Sequence, residues 1–385
     1  MKLTTLLVAP LISSVASAPA GGLESDKLSE NGLLNLQRYA QQSGYPNPKC
    51  TEKNVVRRKE WSRLKKDEKL NYIDAVKCLG KKPSRTPASV APGAKSRYDD
   101  FVTIHILLTQ ITHGNGNFLS WHRYYLWAFE QTLRNECGYK GYLPYYNWAM
   151  WAADPKKSPL LDGSATSISG DGAYVAGRSF NCVPNPGRCF VEVQPGNGGG
   201  CVTSGPFKDW KVNLGPIQSL DTTVAPNPQA DGLGYNPRCI KRDISTQASL
   251  ETSDAFVSEL IKGSATIANF QDNLQNPQPG RLRIHLAGHN IIQGDAGSDF
   301  YNSPSDPYFW FHHAMIDRTW ATWQNQDVAG RRYQIAGTLT FLNNPPTRNA
   351  TLDDVMTMGE WLGFKNITIR DASTTVGGPF CYVYE

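Results

Sequence analysis

The residues of this sequence most able to do chemistry are its histidines, which fall into two clusters. Only seven of the 385 residues are histidine. The clusters, each within a stretch of about thirty residues or fewer, consist of His105, His113 and His122, and of His285, His289, His312 and His313. Imidazole ligation without thiolate or carboxylate favours copper, nickel or zinc over magnesium or calcium. The pattern therefore predicts two transition-metal sites.

The second cluster begins with a pair of histidines on one helix face. His285 and His289 are four residues apart, so both rings leave the same side of a helix and can reach one metal ion. A zinc protease would need a glutamate directly after the first histidine to act as general base. Leu286 stands there instead, which disfavours metalloprotease chemistry.

The adjacent pair His312 and His313 lies on a helix with a clear start. Asp306 is suited to the N-cap and Pro307 to the first helical position. Neighbouring residues on a helix point about 100° apart, so only one of the pair should reach the metal. Asp317 follows His313 by one turn, and we expect its carboxylate to orient a ligating imidazole.

Helical periodicity predicts the elements that position these residues. The first cluster falls on predicted helices at 97–110 and 118–136, and the second on helical segments at 280–291 and 304–324. Further helical patterns occupy 33–42, 53–79 and 249–274. Residues 154–247 lack this period, are rich in Gly and Pro, and hold four of the eight cysteines. We interpret them as a disulfide-stapled loop insertion in one mostly helical domain with a few short strands near its end.

Composition and the first residues bear on location and partners. Lys2 and a following apolar run that ends at Ala16-Ser17-Ala18 predict a secretory signal peptide over residues 1–18. The even cysteine count then predicts disulfides, whose pairing stays open, and Asn349 and Asn366 begin glycosylation sequons. We therefore expect a secreted, extracellular protein. A net charge of +5 is too small over this length to predict a nucleic-acid or membrane partner, and the oligomeric state stays open.

Four sequence features together resemble the type-3 copper proteins, the family of tyrosinases, catechol oxidases and haemocyanins. They are WHRYYLWAFEQTL around His122, LPYYNW at 143–148, the His285 and His289 pair, and DPYFWFHHAMIDRTWATWQ around His313. The likeness covers about residues 50–385 and is strongest to the short secreted fungal members. It implies a mainly α-helical fold, in which a four-helix bundle holds a dinuclear copper site. Residues 19–49 would form an N-terminal segment, open to trimming, before a tyrosinase-type catalytic domain at 50–385.

The resemblance also implies a ligand set and a reaction. His105, His113 and His122 would hold one copper ion, and His285, His289 and His313 the other, with His312 a packed neighbour. Dioxygen and a small phenol would be the substrates, and the phenol would leave as an ortho-quinone. The chain ends just after Tyr382-Val383-Tyr384, which resembles the motif that closes the family's catalytic domain, so we expect no shielding domain.

Departures from the family pattern predict which phenols are oxidised. Monophenol-hydroxylating members often place an Asn after the first ligand of the second copper, and a Glu some nine residues upstream, to hold a base-like water. Here Leu286 takes the Asn position, and no carboxylate lies between Asp272 and His285. Asn290 is the polar residue best placed to touch substrate. Phe300 matches an aromatic residue that shields the second copper in plant catechol oxidases.

These features favour oxidation of ortho-diphenols, and of ortho-aminophenols as a related class, with weak or no monophenol hydroxylation. One alternative is a full tyrosinase that also hydroxylates monophenols. Two others are an oxygen carrier like haemocyanin and a secreted zinc hydrolase. The hydrolase lacks a general base beside the metals. The natural phenol stays open.

Overall fold

The computed structural model describes residues 22–385, and the predicted signal peptide lies outside the described residues. This part of the chain is mostly helical. Its helices are α1 Glu24–Ser43, α2 Lys66–Leu79, α3 Arg97–Thr112, α4 Phe118–Cys137, α5 Trp148–Trp151, α6 Thr246–Leu250, α7 Asp254–Gly263, α8 Ile267–Gln275, α9 Arg283–Asn290, α10 Gly294–Gly297, α11 Tyr308–Asn325 and α12 Val328–Arg331. Short 3₁₀ turns occur at Trp61–Arg63, Pro155–Lys157, Ser303–Ser305 and Phe341–Asn343.

The strands are short and form two-stranded pairs. They are β1 Val56–Arg58, β2 Gly172–Tyr174, β3 Asn181–Asn185, β4 Arg188–Val193, β5 Gly199–Val202, β6 Lys211–Val212, β7 Arg238–Cys239, β8 Val355–Met356, β9 Ile367–Thr368 and β10 Tyr382–Tyr384. β1 pairs in parallel with β10, with Val56 opposite Tyr382. The pairs β2–β5, β3–β4, β6–β7 and β8–β9 are antiparallel.

Four helices, α3, α4, α9 and α11, surround the histidines, and local sequence explains where they begin and end. The Ser96 side chain caps α3 by accepting from the Asp99 amide, and the Asp99 carboxylate in turn accepts from the Ser96 amide. α4 ends at Gly138, which adopts a left-handed conformation with φ of 67°. α11 is buried on every side, since its residues from Tyr308 to Gln324 are all buried. A helix buried all round fits the centre of a bundle.

All eight cysteines pair. The disulfides are Cys50–Cys381, Cys78–Cys137, Cys182–Cys189 and Cys201–Cys239. The last two lie within 154–247, where the structure has small hairpins and irregular loops. Cys182–Cys189 staples the β3–β4 hairpin, whose buried Val183 and Val193 pack with Ala287 of α9. This disulfide-closed hairpin therefore packs against α9, the helix that carries His285 and His289.

The prediction of one helix over 53–79 was wrong for residues 53–65. Only Lys66–Leu79 is α-helical, and it follows a strand at Val56–Arg58. Arg58 is drawn into a buried ion pair with Glu130, at 3.0 Å, while its strand pairs with the C-terminal β10. Periodicity reports only local preference, and this segment's partners lie far along the sequence.

The N-terminal helix is longer than predicted at 33–42. α1 begins at Glu24, because the Asp254 carboxylate accepts from the backbone amides of Glu24 and Ser25 at 2.8 and 2.9 Å. Asp26 also pairs with Arg318 of α11 at 2.7 Å. The helix is therefore fastened to the bundle.

Two other predicted segments differ in detail. The helical pattern at 249–274 is divided into α6, α7 and α8, because Ser245 and Thr266 cap α6 and α8 through their side chains. Asp306 accepts from the Tyr308 amide at 2.9 Å, as its capping role requires, although α11 begins just after Pro307. No helix among residues 22–385 has the length and apolar character needed to cross a membrane.

Candidate metal centre

The three histidines of the first cluster are buried and held by backbone carbonyls. The Nδ1 atoms of His105, His113 and His122 lie 2.7, 3.0 and 2.8 Å from the carbonyls of Tyr301, Thr109 and Phe118. A carbonyl can only accept, so each Nδ1 carries the hydrogen and each Nε2 keeps a free lone pair. The buried Nε2 atoms of His105 and His122 have no hydrogen-bond partner among the described residues. Such a set is built to ligate a metal ion.

The second cluster converges in the same way. His289 Nε2 and His313 Nε2 are 3.2 Å apart, and His285 Nε2 is buried without a partner among the described residues. Two nitrogens bound to one ion at about 2.0 Å each are themselves roughly 3 Å apart. The spacing therefore fits two ligands of one metal ion. In each cluster, one ring nitrogen from every member lies within 4.8 Å of the others.

The two clusters face one another across the bundle. The rings of His122 and His313 stack with centroids 4.5 Å apart, and those of His113 and His285 are 6.4 Å apart. α4 and α11 thus bring one member of each cluster into direct contact. Two metal ions held here would share one dinuclear centre.

Burial keeps these imidazoles neutral. It lowers the pKa of His105 to about 4 and that of His289 to about 3, although a backbone carbonyl opposes the shift in each case. Burial also lowers the pKa of His122 and His313 well below the ordinary value, and neighbouring imidazoles add to this effect. Metal binding needs the unprotonated ring. The ligands are therefore ready at neutral pH without losing protons.

His312 is buried, and among the described residues its ring contacts no ring of the first cluster. Its ring lies 5.3 Å from Trp148 and 4.5 Å from His289, and it stacks on Tyr308. It also fills the space above Gly288 of α9, where a Cβ would lie 2.1 Å from its Cε1 atom. This packing fits the predicted role of a neighbour to the ligands.

We predict that Gly288→Ala disturbs the second cluster. The new methyl group would push His312 and separate α9 from α11, with an expected cost of about 1–3 kcal/mol in unfolding free energy. Copper bound per chain should fall with it, because His289 and His313 sit on those two helices. Gly263→Ala is the matched control, since a Cβ there meets nothing within 4 Å. Equal thermal stability and copper content in both variants would contradict the packing argument.

Asp317 does not orient a ligating imidazole, so that prediction was wrong. Its Oδ1 accepts from Arg123 Nε at 2.6 Å, and its Oδ2 accepts from the hydroxyls of Tyr382 and Tyr384, each at 2.6 Å. Asp317 lies one helical turn after His313, and its carboxylate binds Arg123 instead of a histidine. Arg123 directly follows His122 in α4, so this ion pair joins the two helices whose histidines stack.

A cavity of about 750 Å³ opens onto the histidines. His113, His285 and His289 line its floor. Its walls come from irregular segments far apart in sequence: 183–190 in the β3–β4 hairpin, 218–220, 275–277, 297–303, and Phe341 with Leu342. The volume is sufficient for a substituted phenol.

The three residues predicted to touch substrate all line this cavity. Leu286 presents an apolar side chain beside His285. Asn290 donates to the Leu286 carbonyl at 2.8 Å, which leaves its buried Oδ1 without a partner among the described residues. Phe300 lies at the site, but its ring packs 4.8 Å from His113 of the first cluster and against Phe341. The family pattern predicts this aromatic residue over the second cluster, but the Phe300 ring contacts no ring of that cluster among the described residues.

Sequence reasoning missed the walls of the cavity. Val183, Arg188 and Phe190 belong to the insertion, and Phe341 and Leu342 to a loop near the C-terminus. None of them lies in a periodic pattern or near a histidine in sequence. The disulfide-forming cysteines around the hairpin were the one available signal that this segment is held in place.

Comparison with known proteins agrees with this fold and identifies its family. Residues 95–326 match the common central domain of tyrosinase. The chain is 41% identical over 323 residues to tyrosinase-like protein orsC of Emericella nidulans, covering 81% of this chain and 85% of the relative. It is 39% identical over 350 residues to N-acetyl-6-hydroxytryptophan oxidase ivoB of the same organism, covering 87% and 94%. A polyphenol oxidase variant from Thermothelomyces thermophila superposes with a TM-score of 0.86 at 38% identity, covering 94% and 98%.

The fold and site thus define a dinuclear copper oxidase built on a helical bundle. The chain belongs to the tyrosinase family. Its cofactor is a pair of copper ions, which fits the two sets of neutral imidazoles with free Nε2 lone pairs. Enzymes of this family act on phenolic substrates with dioxygen.

Proposed function

We propose that this oxidase converts ortho-diphenols, and ortho-aminophenols as a related class, to the corresponding ortho-quinoid products, with weak or no hydroxylation of monophenols. One observation carries the proposal: the cavity wall offers no free carboxylate among the described residues. Asp299 is the single acidic residue in the lining. Its oxygens accept from the backbone amides of Ile217, Tyr301 and Asn302 at 2.6, 2.8 and 3.2 Å. The Asp299 carboxylate therefore stabilises the surrounding loops and is not offered to a substrate as a base.

The lack of a free carboxylate should slow monophenol hydroxylation much more than diphenol oxidation. A monophenol must lose its proton before oxygen can be added to the ring, and a positioned base speeds such a transfer by roughly a hundred-fold or more. A diphenol needs no oxygen added to its ring. It gives up two electrons and two protons, and two diphenols together reduce one dioxygen to two waters. Bound copper would supply the electron-transfer chemistry.

The chain's own residues would bind and orient the phenol. His105, His113 and His122 would hold one copper ion, and His285, His289 and His313 the other. Leu286 and Phe300 offer apolar contact to a phenolic ring. The free Asn290 Oδ1 can accept from a substrate hydroxyl. With a phenol bound, the aromatic and aliphatic side chains of the wall would displace water from around the reacting oxygens.

We predict that 4-methylcatechol is oxidised at least roughly a hundred-fold faster than p-cresol. The pair differs by one hydroxyl, so the initial rate of oxygen uptake at equal concentration isolates the hydroxylation step. A trace of 4-methylcatechol added to the p-cresol assay removes any lag before the enzyme is reduced. Comparable rates on both phenols would overturn the proposal and reveal a base that the cavity lining does not show.

A full tyrosinase is the second candidate, and one observation favours it. Asn290 Oδ1 is buried, lines the cavity and has no partner among the described residues, so it could hold a water that accepts the phenol's proton. If this is its role, p-cresol turnover should be substantial and should fall in Asn290→Leu more than 4-methylcatechol turnover does. An oxygen carrier is less well supported, because an open cavity of about 750 Å³ reaches the histidines.

We also propose that the protein is secreted. Four disulfides support maturation in an oxidising compartment, and the sequons at Asn349 and Asn366 lie at exposed positions. Expressed in a secreting fungal host, the protein should be recovered from the medium with no free thiol and with a mass that falls on deglycosylation. Retention of active protein inside the cells with reduced cysteines would contradict secretion.

A further inference from the structure

Among the described residues, the wall of the cavity above the histidines carries one charged side chain without an ion-pair partner. Apart from Asp299, whose oxygens are held by backbone amides, Arg188 is the charged residue of the lining. Arg188 begins β4 and is exposed. It forms no ion pair with any residue in 22–385. A guanidinium without a carboxylate partner remains free to bind an anion.

The Arg188 side chain packs over the ring of Phe190. The Arg188 guanidinium lies 4.6 Å from the centre of the Phe190 ring, a separation at which the cation is attracted to the ring face. Phe190 also lines the cavity. Both residues therefore present their outer ends to the same space that reaches His285 and His289.

The hairpin that carries Arg188 is fixed to the metal centre. Cys182–Cys189 closes it next to Arg188. The Phe190 carbonyl accepts from the Gly280 amide at 3.0 Å, just before α9. Val183 and Val193 pack with Leu282 and Ala287 around the first turns of that helix. The position of the hairpin backbone at Arg188 relative to α9 is consequently set by packed and hydrogen-bonded structure.

We infer that Arg188 makes this oxidase select phenols that carry a carboxylate on the ring side chain. The inference rests on the proposed function, because it assigns a role within the same cavity. The phenolic oxygens would face the histidines, and the carboxylate would reach the guanidinium at the hairpin. Arg188 would act on binding, so the selectivity should appear in KM more than in kcat.

The test compares each acid with its own methyl ester, which has the same ring and no charge. The probes are 3,4-dihydroxybenzoate and 3-(3,4-dihydroxyphenyl)propionate, so that two spacer lengths are sampled. For the better-fitting spacer, kcat/KM should favour the acid over its ester by about fivefold at low salt. Because the guanidinium is exposed, 500 mM NaCl should remove most of this preference.

Variants separate the charge from other effects of the hairpin. In Arg188→Gln the acid-to-ester ratio should fall to about one, and in Arg188→Glu it should fall below one. Arg57→Gln is the control, because Arg57 is exposed, forms no ion pair with a described residue and lies outside the cavity lining. It should keep the ratio of the unmodified enzyme.

The outcomes distinguish the inference from the function beneath it. An acid-to-ester ratio of one or less in the unmodified enzyme, or a ratio that Arg188→Gln leaves unchanged, would overturn the role of Arg188 while both esters are still oxidised. An equal loss for acid and ester in Arg188→Gln would assign the residue to structure and also overturn the inference. Failure to oxidise the esters and 4-methylcatechol at all would overturn the proposed function itself.

Discussion

Replacing His122 with alanine should leave the protein folded, with about one copper ion or fewer per chain and at least a thousand-fold less turnover of 4-methylcatechol. Oxidation of a diphenol removes two electrons, and a single copper ion would take up only one, so the reaction would need both positions filled. His122 is central to that arrangement because its ring stacks 4.5 Å from His313 of the other cluster. Copper content measured beside the oxygen-uptake rate checks both parts of the expectation.

The adjacent histidines of α11 provide the matched comparison. His313 faces the first cluster, whereas the ring neighbours of His312 are Trp148, Tyr308 and members of its own cluster. We expect His313→Ala to lose the second copper ion and His312→Ala to retain both. The reverse result would show that the other member of the pair is the ligand. Two copper ions retained in His122→Ala would contradict the assignment of the first cluster.

The metal centre could be predicted from the sequence because its determinants are local. The four-residue spacing of His285 and His289, and the aromatic segments around His122 and His313, are fixed within single helices. Burial of these segments follows from their apolar composition. The resemblance to type-3 copper proteins rests on the same residues, and the helical bundle it implied is the observed fold.

The features that could not be predicted from the sequence depend on contacts between residues far apart along the chain. Arg58 lies on a strand instead of a helix because β10, more than 300 residues later, pairs with it. Asp317 has the helical spacing expected of a residue that supports His313, but Arg123 and two C-terminal tyrosines attract its carboxylate. The cavity walls come from loops without a periodic pattern. In each case the deciding contact joins segments that no local preference connects.

The position of Asp317 has a large expected consequence for stability. It belongs to a buried network with Arg58, Arg123 and Glu130, in which two positive and two negative side chains balance. All four are at most 3% exposed. Arg58 also lies 3.6 Å from the centre of the Tyr382 ring. The network therefore joins α4, α11 and both strands of the β1–β10 pair.

Asp317→Ala should lower the free energy of unfolding by about 3–5 kcal/mol, because it leaves a buried arginine uncompensated and two tyrosine hydroxyls without their acceptor. Asp353→Ala is the control: Asp353 pairs with Arg370 but is 79% exposed, and such a pair contributes about 1 kcal/mol or less. Denaturant unfolding of the copper-free, disulfide-intact proteins measures both changes without the stabilisation that bound metal adds.

The copper affinity of Asp317→Ala then shows whether the Arg123–Asp317 pair positions the metal ligands or only stabilises the fold. Arg123 directly follows His122, and Asp317 lies one turn beyond His313, so their 2.6 Å ion pair joins α4 and α11 close to the two stacked imidazoles. If the pair sets that geometry, Asp317→Ala should bind copper about ten- to a hundred-fold more weakly even at temperatures where it remains folded. A variant that unfolds more easily but binds copper with unchanged affinity would show that the network stabilises the bundle without shaping the metal centre.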